Sequence, residues 1–205
     1  SALEKYAKKY IGPYVLSAKL DGVSGLYSRE NKTPKLYTRG DGIYGQDISH
    51  LIKYLNLPSD SSDMTIRGEF IIKKAIFAKK YAKTFANPRN FVAGIINHKT
   101  PDQDKLKDID FIAYEVINPA NLIPSEQFAL LKKTKPLLVA KNTTTQKISN
   151  ELLSETLISW RDKYEYEIDG IICANDKVYP RTHKNPEHAF AFKMVISDQV
   201  AEAKV

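Results

Sequence analysis

"SAKLDG", Ser17 to Gly22, closes a run that alternates like a β-strand and then stops on a lysine, an aspartate and a glycine. Leading a lysine toward the interior spends stability, because its amine is hydrated and mobile. Such a placement makes sense where the amine does chemistry. Taken alone the pattern is weak, since lysine-x-aspartate-glycine occurs by chance in about one chain in forty of this length. Its reading depends on its surroundings.

Working outward, Tyr14 to Ala18 reads as a strand that places Lys19 at its end, and Gly22 to Ser28 reads as a second strand. Asn31 to Pro34 is turn material before a third strand around Leu36 to Thr38. Ile48, Leu51, Ile52 and Leu55 recur at i, i+3, i+4 and i+7, which predicts an amphipathic helix. In "MTIRGEFII" (Met64 to Ile72) strand period puts Arg67 and Glu69 on one shared face, where an ion pair between them is one expectation. Asp110 to Asn118 reads as a strand, Ser125 to Lys133 as a short helix and Leu137 to Ala140 as extended. A longer helix carries Leu152, Leu153, Thr156, Leu157 and Trp160, and a strand follows from Glu167 to Ala174. Phe190 to Met194 and Gln199 to Val205 also read as extended. Strands and helices mix without a βαβ rhythm, so the fold class is α+β with mainly antiparallel sheets.

The 205 residues suffice for one domain with a real core. No apolar run approaches bilayer length and no signal-peptide pattern opens the chain. The start, Ser1-Ala2 without methionine, fits a piece cut from something longer. A single cysteine, Cys173, excludes an internal disulfide and a four-cysteine zinc site, and a reducing compartment fits best. His50, His98, His183 and His188 show no metal-ligand spacing. Net charge of +7 and a pI near 9.2 favour an anionic partner, most simply nucleic acid.

After the lysine motif come "YTRGDG" (Tyr37 to Gly42), "IRGEF" (Ile66 to Phe70), "NPRN" (Asn87 to Asn90), "EIDGII" (Glu167 to Ile172) and "AFAFKM" (Ala189 to Met194), in that order. With this ordered set the chain resembles, over nearly all its length, the adenylation (nucleotidyltransferase) domain of NAD-dependent DNA ligases. The resemblance implies the covalent nucleotidyltransferase fold shared by DNA ligases and mRNA capping enzymes. It further implies an activity in which a lysine takes AMP from NAD with Mg²⁺, passes it to the 5′-phosphate at a nick in double-stranded DNA, and seals the nick.

Residue by residue, the resemblance makes Lys19 the nucleophile, within the motif completed by Asp21 and Gly22. An amine attacks phosphorus only when neutral, a state that neighbouring cations favour, and Lys193, Arg39, Arg89 and Arg161 are candidate neighbours. Glu69 is expected on a ribose hydroxyl. Asp169 is expected to hold a divalent metal or water near the phosphate. Tyr114, in "DFIAY", is expected as the aromatic platform for adenine, and Ile172 as the apolar residue on the opposite face; core packing is the alternative for both. Ser17 and Ala18 flank the lysine in the nucleotide site, and Arg161 and Lys193 are expected there too. Arg39 and Arg89 suit phosphates of AMP or of the nick.

The chain departs from the family in three places. Ser17 stands where bacterial enzymes usually carry a glutamate, Ala174 where they carry a lysine, and Asn97 where they carry an arginine. Lys177 is a possible stand-in for the missing lysine. Such divergence fits a viral or phage member, and a cytoplasmic setting, bacterial or viral, is expected. A monomer is expected, and the resemblance also implies partner domains outside this chain. One, before Ser1, would bind the nicotinamide mononucleotide half of NAD; oligonucleotide-binding, zinc and helix-hairpin-helix domains would follow Val205. Competing expectations are an ATP-dependent polynucleotide ligase, more remotely a capping guanylyltransferase, and a degenerate domain that binds adenylate or DNA without turnover.

Overall fold

In the computed structural model, the described residues are 1–39, 45–59, 62–182 and 185–194. Helix α1 (Ala2–Lys9) leads into β1 (Tyr14–Leu20), β2 (Val23–Glu30), β3 (Thr33–Arg39) and the short β4 (Gly45–Asp47). A 3-10 helix (Ser49–Tyr54), β5 (Met64–Ile72), α2 (Lys74–Lys80), α3 (Pro88–Ile96), α4 (Gln103–Leu106) and β6 (Ile109–Asn118) come next. The remainder is α5 (Pro124–Lys133), β7 (Leu138–Val139), β8 (Asn142–Thr145), α6 (Asn150–Lys163), β9 (Ile168–Asn175) and β10 (Ala189–Phe192).

These strands make two sheets, β10-β9-β1-β8 and β4-β3-β2-β5-β6-β7, antiparallel throughout except for the parallel pair β6–β7. The chain crosses between the sheets at Asp21-Gly22, since β1 belongs to the small sheet and β2 to the large one. Glycine is required at that crossing. A Cβ on Gly22 would stand 2.2 Å from the Phe70 carbonyl oxygen and 3.1 Å from Cγ of Glu69. The final glycine of "SAKLDG" therefore lets β1 hand over to β2 against the strand that carries Glu69.

The core is aromatic and β-branched, as half-buried sheets demand. Tyr27, Phe70, Phe91 and Phe111 are fully buried, with Phe70 and Phe111 at 5.0 Å and Tyr81 stacked on Phe91 at 4.1 Å. Each contributes roughly 1.5–3 kcal/mol through burial alone. Helix α3 opens with Pro88 in its first turn and with the Asn87 side chain accepting from the Asn90 N–H, so its start is fixed by sequence.

Several expectations change. The spacing from Ile48 to Leu55 produces a 3-10 helix, not an α-helix; six residues give too few turns to tell a period of 3.0 from 3.6. Lys19 lies inside β1, which continues to Leu20. The sequence reading does not anticipate β4, α2, α4 or β8. The segment Gln199 to Val205 lies outside the described residues, as do Gly40 to Gly42 of "YTRGDG" and His183.

Candidate active site

Where the sheets meet, a cavity of about 270 Å³ is lined by Lys19, Asp21, Ser24, Arg39, Glu69, Arg89 and Asp169, among others. A wider depression of about 460 Å³, bordered by Lys141 and Trp160, contains none of the motif residues. The chemistry is concentrated in the smaller one.

One break in strand register lies at this cavity and a second beside it. Between β1 and β9, Lys19 pairs with Gly170 but Leu20 pairs with Ile168, so Asp169 is an extra residue without a partner. Strict alternation would send Asp169 to the face opposite Lys19. The bulge re-aims it, and its carboxylate oxygens lie 3.0 and 3.1 Å from Lys19 Nζ. Lys193, just past β10, brings its Nζ to 4.0 Å from the same carboxylate. Lys19 and Asp169 are each about one-third exposed (32% and 37%), so their ion pair is worth about 1 kcal/mol or less. Its main consequence is placement of the amine.

The second break lies between β5 and β6. Arg67 pairs with Glu115 and Gly68 with Ala113, which leaves Tyr114 as the extra residue. Tyr114 lies beside Glu69 and Ser24, and its phenol is pushed up to about 12 by burial first and by the Glu69 charge second. Glu69 is buried, at 7% exposure. It accepts from the Gly22 N–H at 3.0 Å and the Ser24 hydroxyl at 3.2 Å, across the register that sets Ser24 opposite Glu69. The alternative ion pair with Arg67 does not form; Arg67 is exposed, with Nη1 3.8 Å from Glu115.

Burial raises the Glu69 carboxyl from 4.5 to about 7, against the lowering pull of its two hydrogen bonds, Lys19 and Arg89. The unfolded chain therefore gives up this proton first as pH rises, and the folded chain loses stability between about pH 4.5 and 7. Glu69→Gln should flatten that part of the profile, removing a loss of about 3 kcal/mol at most. Urea unfolding at pH 5, 6, 7 and 8 checks it; parallel profiles for the two proteins would refute this account of Glu69.

Arg89, at the start of α3, sets its Nη1 3.8 Å from Asp21 Oδ1 and borders the cavity with Arg39 from the end of β3. Ser17, only 8% exposed, shares the Lys19 face of β1 and pairs with Ile172, so the two lie side by side one step along the sheet. Ala18 is buried on the other face and its N–H donates to the Lys141 carbonyl. Arg161 does not border the cavity; its Nη2 donates to the Met194 carbonyl at 3.3 Å, next to Lys193. Ala174 pairs with Val15 toward the far end of β9 from Asp169, and Lys177 lies two residues beyond that strand. Asn97 caps the C-terminal end of α3, away from Arg89 at its start. Ser24 had not been singled out in the sequence. Only the β2–β5 register reveals that it faces Glu69.

Among the described residues, no cluster of three His, Cys, Asp or Glu side chains is placed to hold a metal ion. No described helix is long and apolar enough to cross a membrane.

The fold resembles that of the mycobacterial DNA ligase D complexed with ATP and MES (TM-score 0.57, 13% identity, covering 90% of this chain and 55% of that one). It also resembles the ATP-dependent DNA ligase from bacteriophage T7 in complex with ATP (TM-score 0.54, 14% identity, 94% and 65%). Residues 3–196 match the family described as the NAD-dependent DNA ligase adenylation domain, and the chain belongs to that family. Its relatives include the DNA ligase of Acanthamoeba polyphaga mimivirus (42% identical over 200 residues, 94% of this chain and 31% of that protein). The putative DNA ligase 205R of Invertebrate iridescent virus 6 (38% identical; 94% and 33%) and the DNA ligase of Aquifex aeolicus (33%; 88% and 29%) are others. The chain spans about a third of the length of these curated relatives.

Proposed function

We propose that this chain is the catalytic core of a DNA ligase in which Lys19 takes AMP from NAD. The observation that carries the reading is the Lys19 amine, bound by Asp169 in a cavity lined also by Glu69, Arg39 and Arg89. The family to which the chain belongs supports NAD as donor.

Attack needs a neutral amine, and Asp169 is in place to accept the first proton from Nζ. The Nζ lone pair then forms a bond to the α-phosphorus, the bond to the oxygen of the nicotinamide mononucleotide phosphate breaks, and that mononucleotide leaves with the electron pair. Lys193, Arg39 and Arg89 oppose the negative charge that builds on the phosphoryl oxygens. Glu69 accepts from the ribose. Tyr114 and Ile172 flank the base, Ser17 lines the nucleotide side of the lysine while Ala18 backs it from the other face of β1, and Arg161 acts on a phosphate or on the segment after β10. In the next step the 5′-phosphate of a nick displaces Lys19 from AMP, and the 3′-hydroxyl finally displaces AMP. Steering of the duplex falls to the chain's net charge of +7, with Arg39 and Arg89 nearest the reacting phosphates.

The donor set suits Mg²⁺ only in part. Asp169 supplies one carboxylate, already shared with two lysines, so nucleotide phosphate and water must complete the shell. When bound, the ion neutralises phosphate charge.

The acceptor is tested by mass. Protein loaded from NAD and then given a nicked duplex should lose its AMP, with a matching gain on the 5′-phosphate strand. AMP that stays on the protein beside nicked duplex, yet leaves with nicked RNA, would contradict DNA as the acceptor.

A further inference from the structure

Lys193 follows a strand with little holding it. β10 has four residues and, among the described residues, lies at the edge of the small sheet and pairs with β9 alone, from Ala189 opposite Ala174 to Phe192 opposite Ile171. A four-residue edge strand with one ladder is intrinsically weak. Yet Lys193 must hold its amine near Asp169.

Helix α1 grips the other end of that strand. The Tyr6 hydroxyl donates to the His188 carbonyl at 2.6 Å, and the Tyr6 ring meets Phe190 edge-on at 4.7 Å and 75°. Lys9 donates to the Glu187 carboxylate at 2.9 Å, an exposed contact of minor weight. The His188 ring stacks on Tyr179 at 4.1 Å, which fixes the start of β10 from a second side. Helix α1 has eight residues and buries none of them fully, too short to be stable by itself in water. Its order and the order of β10 therefore depend on each other.

We propose that Tyr6 is a positioning residue for Lys193: its hydroxyl fixes the start of β10 on β9 and so sets where Lys193 stands relative to Asp169. The proposal rests on the reading of Lys193 as a phosphate-facing cation. His188 has had no assigned role, and its contribution here is its backbone carbonyl. That carbonyl also accepts the Asn175 N–H at 3.0 Å, so losing the Tyr6 hydroxyl leaves no acceptor orphaned. Tyr6→Phe accordingly removes the grip while keeping the ring against Phe190.

The test is single-turnover attachment of AMP from NAD at varied NAD concentration, in wild type, Tyr6→Phe, Lys193→Ala and the double variant. Tyr6→Phe should slow the step about 5–10-fold at saturating NAD with little change in half-saturation, and hydrogen exchange at the β10 amides should quicken. In the Lys193→Ala background Tyr6→Phe should cost nothing further, because the two act through one group. A loss that multiplies with that of Lys193→Ala, or a wild-type rate for Tyr6→Phe, overturns the positioning role and leaves the role of Lys193 intact. A wild-type rate for Lys193→Ala overturns both.

Discussion

Lys19→Ala is expected to abolish AMP attachment, by more than about 10³-fold, while the melting temperature moves by only a few degrees. No other described amine occupies the reacting position. Lys193 is the nearest substitute, but its Nζ is 4.0 Å from Asp169 and its chain rises from the other side of Gly170. The stability cost is small because the Lys19–Asp169 pair is one-third exposed and Asp169 retains Lys193. Intact mass after incubation with NAD, beside a thermal melt, reads both quantities. An AMP adduct on the Lys19→Ala protein at the wild-type rate would remove Lys19 from the chemistry.

Gly170→Ala should be nearly as damaging, through packing rather than reactivity. A Cβ there would stand 2.7 Å from the Phe192 carbonyl oxygen and 3.1 Å from Cγ of Lys193, with Cδ of Lys19 at 3.6 Å. The carbonyl belongs to the backbone of β10, so the strand itself must move. Since β10 is an edge strand with a single ladder, it would shift outward and carry Lys193 away from Asp169. We expect a loss of roughly 1–3 kcal/mol in stability and at least about 100-fold in AMP attachment. Urea unfolding and single-turnover kinetics measure the two effects. Wild-type kinetics in Gly170→Ala would show that the spacing between the two lysines is not critical.

The strands that carry the site were legible as short apolar runs, alternating in the first half of β5 and nearly continuous in β1 and β9: β1, β5, β6 and β9 all fall where the sequence places strands. Edge strand β8 escaped notice since "NTTT" has no apolar face to reveal it. The same alternation misdirects at the two positions that matter most. Asp169 and Tyr114 are both extra residues at register breaks, and a bulge depends on two strands together, which one strand's pattern cannot express. Resemblance supplied those residues where periodicity could not. Ser24 was missed for a related reason, as its meeting with Glu69 is set by pairing between distant segments. Arg67 and Glu69 share a face as expected, but burial separates them, leaving Arg67 to Glu115 and Glu69 to the cavity.

The central claim, that the Lys19 amine takes AMP from NAD, is tested most directly by peptide mass mapping after incubation with Mg²⁺ and either NAD or ATP. The account predicts one AMP, formed from NAD and carried on the peptide containing Lys19. AMP gained only from ATP, or found on Lys193 in place of Lys19, would contradict it.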